Sequence, residues 1–179
     1  MKLTILVKRF KDENGSPLVD FPKIIKKGDW IDLRAAERMQ IIAPQAGTLK
    51  GKNAGKRDVT NEPVYIPLGV AMQLPKGFEA IVVSRSSTPK KLGIVSANNV
   101  GVIDNTYNGD DDQWKFPALS IRRTVIEKNT RICQFRIQLS QKATLLQKLK
   151  WLLSSGIEFK EVATLDNSNR GGLGTTGNK

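Results

Sequence analysis

Histidine is absent from all 179 residues. That absence removes the commonest general base near neutral pH and the commonest metal ligand. Hydrolytic chemistry in this chain therefore falls to carboxylates, and a bound cation would be a hard, oxygen-held one. Cysteine occurs once, as Cys133, so no disulfide can form within the chain. A reduced, intracellular setting is expected, with Cys133 a small core residue rather than a nucleophile. Long apolar runs are missing as well: none approaches the roughly 18–20 residues that cross a bilayer. The start, Met1–Arg9, is too short and too alternating for a signal peptide and reads as a first β-strand.

Charge is what the chain has in excess. Lys and Arg number 29 against 17 Asp and Glu, a formal net charge of +12. Such a surface attracts polyanions, either nucleic acid or a triphosphate. Hydrophobic residues make up 39%, too many for a disordered chain, and the length suits one domain with a real core.

The periodicity is that of short strands. Leu3, Ile5 and Val7 alternate with Lys2, Thr4 and Lys8, with Leu6 breaking the pattern. Further strands are expected around Val64–Met72, Ala80–Val83, Val100–Asp104, Ala118–Arg122 and Arg131–Leu139. Glycine, proline and asparagine separate them, which points to a barrel or sandwich. Two segments depart from this scheme. Residues 47–61 carry Lys50, Lys52, Lys56 and Arg57 without apolar pattern and read as a solvated basic loop between two strands. Residues 140–156 carry Leu145, Leu146, Leu149, Leu152 and Leu153 at helical spacing. Ser140 or Thr144 would cap that helix and Gly156 would end it. It is expected to pack on the body or on another subunit. From about residue 167 the chain turns polar and glycine-rich, the composition of a flexible end or of a segment that wraps phosphate.

Five islands have a composition suited to chemistry. Asp29-Trp30-Ile31-Asp32-Leu33-Arg34-Ala35 sets an acid in an apolar strand, where it is equally able to pair with Arg34. Ser84-Arg85-Ser86-Ser87-Thr88 groups hydroxyls with an arginine. Asn98-Asn99-Val100-Gly101-Val102-Ile103-Asp104-Asn105-Thr106-Tyr107 has a hairpin's turn chemistry with an acid and an aromatic three residues apart. Asn129-Thr130-Arg131-Ile132-Cys133-Gln134 is a basic-polar strand start. Arg170-Gly171-Gly172-Leu173-Gly174-Thr175-Thr176 is the glycine-rich tail. Each alone has an ordinary structural reading. Trp114 and Phe116, just past the hairpin, suit core packing as well as contact with a ligand.

In order, the five islands resemble the five motifs of the trimeric dUTPase family over nearly the whole chain. The first motif is similar to that of Bacillus-type and phage-type members. The resemblance implies an all-β fold, a distorted jelly-roll β-barrel over residues 1–166 with one short extra helix, followed by a C-terminal lid arm at 167–179. It implies hydrolysis of dUTP to dUMP and pyrophosphate by water attack at the α-phosphorus, which keeps uracil out of DNA and supplies dUMP for dTTP synthesis. Carried over by position, Asp104 matches the water-activating carboxylate, and Tyr107 the aromatic under the deoxyribose. Asn98, with the backbone of Val102 and Ile103, matches the uracil-reading hairpin. Arg85, Ser86, Ser87 and Gln134 match phosphate-binding positions. Asp32 matches the acid that holds Mg²⁺ through water, and Arg170, Leu173, Thr175 and Thr176 match the arm. Leu173 stands where an aromatic usually stacks on the base. The implied enzyme is a cytoplasmic homotrimer with sites shared between subunits, needing neither membrane nor nucleic acid. Two other readings share the fold: a regulatory binding protein on a dUTPase scaffold, and a relative of dCTP deaminase.

Overall fold

The computed structural model describes residues 1–48, 55 and 57–172. The strands in the first half are β1 (Leu3–Arg9), β2 (Ile31–Arg34), β3 (Met39–Ile41), β4 (Gln45–Thr48), β5 (Arg57–Thr60), β6 (Val64–Pro67), β7 (Val70–Gln73) and β8 (Phe78–Ser84). Helix α1 (Thr88–Leu92) follows. Then come β9 (Ile94–Ser96), β10 (Gly101–Ile103), β11 (Lys115–Ser120), β12 (Thr124–Ile126) and β13 (Arg131–Leu139). Helix α2 (Leu145–Leu152) and β14 (Ile157–Glu161) complete the series.

The strands pair into small sheets, of which the four-stranded one, in the order β10-β8-β13-β2, positions the functional residues. A second sheet, β14-β1-β7, ties the two ends of the chain together: β1 runs parallel to β14, with Leu3 opposite Ile157. The reason is visible in β1, where Leu3, Ile5 and Val7 are buried while Thr4 faces water. Leu6, which breaks the alternation, is half-buried. Between the sheets sits one core that includes Phe78, Trp114, Phe116 and Phe135. Trp114 and Phe135 meet edge to face, with ring centroids 5.2 Å apart.

Two expectations change on contact with the structure. Residues 47–61 are not simply a loop, because β4 and β5 pair from Gln45↔Thr60 to Thr48↔Arg57. Lys50, Lys52 and Lys56 lie outside the described residues. Helix α2 exists and is capped by Thr144, whose hydroxyl accepts from the Gln147 N–H in a capping box. Its leucines, however, do not pack on the body of the chain. Leu145, Leu146, Leu149, Leu152 and Leu153 are exposed, and the helix rests on the barrel through Trp151 against Phe78. Cys133 is fully buried, and burial pushes its thiol pKa far up, so it behaves as the core residue expected. Among the described residues no helix is long and apolar enough to cross a membrane.

Candidate active site

The phosphate-binding candidates converge on one end of the four-stranded sheet. Register places Gln134 opposite Asp32 on one side and Val83 on the other, with Arg85 just beyond the end of β8. Arg85 Nε donates to Asp32 Oδ1 at 2.7 Å, and Arg131 Nη1 donates to Oδ2 at 3.0 Å. Asp32 therefore does not pair with Arg34, which binds Asp20 and the Asn129 carbonyl instead. Both Asp32 oxygens organise guanidinium groups, leaving two arginines fixed side by side. Charge-assisted bonds of this kind are short and about twice as strong as neutral ones. Ser86 is exposed in the turn that follows, and Ser87 stands at the N-cap position of α1 without a side-chain capping bond. Buried Thr88 donates to the Ile132 carbonyl, which fastens that turn to β13. Arg131 was not among the residues marked from sequence. Its signal was its place within the fourth island, three residues before Gln134.

The hairpin residues gather elsewhere. Gly101, Val102 and Ile103 pair with Val82, Ile81 and Ala80 of β8. A cavity of about 250 Å³ opens beside them, lined by Asn98, Gly101, Val102, Ile103, Pro117 and Tyr65 among others. That is below the roughly 300–1,000 Å³ of sites enclosing a whole drug-sized ligand, so it suits a single ring. Tyr65 is 45% exposed and is an aromatic side chain of that lining, one that sequence reasoning passed over. Trp114 and Phe116 are core residues, at 0% and 1% exposure, and of the two Phe116 borders this cavity. The Ser96 hydroxyl donates to the Asn98 side-chain oxygen at 2.8 Å and orients that amide.

Asp104 follows β10 in an Asx turn. Its Oδ1 accepts from the Thr106 backbone N–H and the Thr106 hydroxyl, both at 2.8 Å. The backbone and then the side-chain bond from Thr106 lower its pKa against a small desolvation effect, and the Arg170 and Lys142 charges add to the lowering. The Asp104 side chain is 56% exposed in the single chain. Tyr107 is half-buried, donating its hydroxyl to the Gln113 carbonyl at 3.0 Å, and desolvation followed by the Asp112 charge raises its pKa.

The arm's first residues reach this same patch. Arg170 Nη1 lies 3.6 Å from Asp104 Oδ1, and Gly172 stands against the Tyr107 ring. Leu173, Thr175 and Thr176 lie outside the described residues.

The two patches do not meet. Ile103 pairs with Ala80, and Arg85 lies five residues further along β8, about 17 Å at roughly 3.4 Å per residue. Asp104 lies beyond Ile103 in the opposite direction. One chain thus presents an arginine–carboxylate cluster at one end of β8 and the base and arm beyond the other, with the ring pocket along β10 between them. A larger cavity of about 530 Å³, lined by Ile24, Ile25, Trp30 and Trp151, holds none of these residues.

The sequence model of the dUTPase family matches residues 56–176, about two thirds of the chain. The chain belongs to the dUTPase family. Among its relatives is the SPbeta prophage-derived deoxyuridine 5'-triphosphate nucleotidohydrolase of Bacillus subtilis (strain 168). The two are 44% identical over 155 residues, covering 87% of this chain and 88% of the relative. The deoxyuridine 5'-triphosphate nucleotidohydrolase of Finegoldia magna is 36% identical over 129 residues, covering 68% and 78%. Among solved structures, the dUTPase from Streptococcus mutans matches with a TM-score of 0.55 at 26% identity, over 75% of this chain and 93% of that one. A variant of the Staphylococcus bacteriophage 80alpha dUTPase with dUpNHpp matches with a TM-score of 0.56 over 97% and 98%. At 18% identity that likeness speaks to the fold alone. The mostly β architecture with two short helices is the jelly-roll of this dUTPase family.

Proposed function

We propose that this dUTPase hydrolyses dUTP to dUMP and pyrophosphate, at sites each assembled from more than one copy of the chain. The observation that carries the shared site is the separation of the two patches along β8. Neither patch has the parts for the reaction alone, and together they have all of them. The outward face of the four-stranded sheet supports association. Val102, Ile81 and Val83 lie there beside Gln134, Arg136 and the hydrogen-bonded pair Gln138–Glu79, and Val102 is exposed in the single chain. A homotrimer, as the family resemblance implies, sets Asp104 of one copy against Arg85 of another.

In such a site Asp104 accepts a proton from the attacking water at the α-phosphorus. Its lowered pKa keeps it ionised at neutral pH, which secures the base form at the expense of basicity. Arg85 and Arg131, held by Asp32, spread the charge that develops on the phosphate oxygens. Tyr107 forms the floor for the sugar. The hairpin backbone at Val102 and Ile103, with Asn98, offers donors and acceptors that a uracil ring satisfies and a cytosine ring leaves unpaired.

The residues present fit Mg²⁺ held through water and substrate phosphates. Among the described residues no cluster of three acids or cysteines could cage a metal, and the oxygens of Asp32 already accept from arginines. When bound, the ion would neutralise phosphate charge. Arg170, with Thr175, Thr176 and Leu173 of the arm, would cover the nucleotide and exclude bulk water.

The deciding experiment compares pyrophosphate release from dUTP with ammonia release from dCTP. Pyrophosphate from dUTP alone supports this reading, and neither product from a folded protein would overturn it.

A further inference from the structure

We propose that Asn105 is a positioning residue for the base, its amide fixing the turn that carries Asp104 to the loop between β7 and β8. The inference rests on the functional reading above, in which Asp104 activates the water.

Asp104 follows the end of β10 with its side chain more than half exposed. Its own hydrogen bonds stay inside the turn. Thr106 donates twice to Oδ1, and the Tyr107 N–H donates to the Asp104 carbonyl at 3.0 Å. Those bonds fix the carboxylate relative to the turn, and they do not fix the turn relative to the barrel. A misplacement of about 1 Å at a reacting group costs roughly a hundredfold in rate, so the turn itself has to be held.

Asn105 supplies that hold. Its side chain is half-buried, and Nδ2 donates to the Leu74 carbonyl at 3.1 Å and to the Pro75 carbonyl at 3.0 Å. A carbonyl oxygen accepts and never donates. Two of them at one point therefore suit an amide NH₂ and repel a carboxylate of the same outline.

The loop that receives these bonds is itself braced. Leu74 is buried, and the Pro75 carbonyl also accepts from Phe78 N at 3.1 Å. Gly77 has a φ of +84°, and its carbonyl accepts from Ser140 N at 2.9 Å. A Cβ on Gly77 would collide with the Gln147 side chain, which accepts from the Thr144 N–H in the capping box of α2. Phe78 meets Trp151 of the same helix. The segment from Ser140 to Trp151 thus stiffens the loop that Asn105 grips. Tyr107 has a separate tie through its hydroxyl to the Gln113 carbonyl. Losing the Asn105 amide frees the base and leaves the sugar floor attached.

The test is steady-state hydrolysis of dUTP by Asn105→Ala, made in the wild-type chain and in Asp104→Asn. kcat is read at the alkaline plateau, where Asp104 is ionised. It should fall roughly tenfold to a hundredfold in the wild-type background, with a smaller change in KM. In the Asp104→Asn background it should fall no further, because a residue that acts through the base has nothing left to position. The acid limb of the pH–rate profile should stay in place, since both Thr106 bonds survive. Equal losses in the two backgrounds, a moved limb, or a lower melting temperature with kcat intact would each overturn the proposal. Asn105→Asp keeps the outline and removes both donors, so it gives the same comparison if the alanine variant does not fold. A normal kcat there would overturn the proposal as well. A wild-type chain inert toward dUTP would defeat the functional reading instead.

Discussion

The two halves of the candidate site are built by different means. The phosphate patch is set by strand register: Asp32, Gln134 and Val83 lie side by side on three paired strands, and the arginines are locked by a shared carboxylate. The base-bearing patch is set by a turn, with Asp104 held by Thr106 and the turn anchored through Asn105. A sheet gives a fixed platform for a charge that hardly changes. A hydrogen-bonded turn gives a group whose proton affinity can be tuned and whose neighbour can move. The difference suggests that damage to the first half weakens substrate handling, while damage to the second half stops chemistry.

The sharpest way to break that contrast is Asp104→Asn. It should lower turnover by roughly 10²–10⁴-fold, the contribution of a positioned base, while dUTP still binds. Near-normal turnover would show that another group activates the water. Removing Asn169–Lys179 should be almost as damaging to catalysis. Its effect on the thermal melt should be small, because the segment is polar and glycine-rich and none of its described residues, Asn169–Gly172, belongs to the core cluster. Truncated protein that hydrolyses dUTP at the normal rate would end the lid assignment.

Arg131→Ala probes the other half. Losing one charged hydrogen-bond donor, about 1.5–3 kcal/mol, should weaken kcat/KM roughly tenfold to a hundredfold, chiefly through KM. An effect confined to kcat would erase the distinction between the halves. The smallest effect is expected from Thr106→Val, which removes the hydroxyl donor to Asp104 and keeps the backbone one. The Asp104 pKa should rise toward its ordinary value, moving the acid limb of the pH–rate profile to higher pH. The sign for stability is the same. A depressed carboxylate pKa stabilises the fold above the ordinary range, and that contribution is lost as pH falls through the lowered value. The variant should therefore lose less stability on acidification, and an unmoved limb would show that Thr106 does not tune the base.

Much of this was legible in the chain. The order of the islands carried the family, the alternation in β1 carried that strand, and the leucine spacing carried the existence of α2, with Thr144 one of its two candidate caps. What escaped depends on register and return paths. Nothing near Arg131 in sequence says that it will face Asp32, which lies 99 residues away. Asn105 is next to the base in sequence, and only the fold brings its amide to the Leu74 and Pro75 carbonyls. The leucines of α2 have helical spacing but no face of their own chain to meet, so spacing alone identified the apolar stripe and not the surface it packs on. Trp114 was open to two readings because its neighbours in sequence are polar while its neighbours in space are Phe135 and the core.

The most direct test of the central claim is pyrophosphate release from dUTP by assemblies mixed from Asp104→Asn and Arg85→Ala chains, each nearly inactive alone. Random assortment should pair an intact hairpin with an intact phosphate patch in about a quarter of the sites and restore that share of the wild-type rate. Confirmed mixed assemblies that stay as inactive as their parents would contradict a site shared between chains.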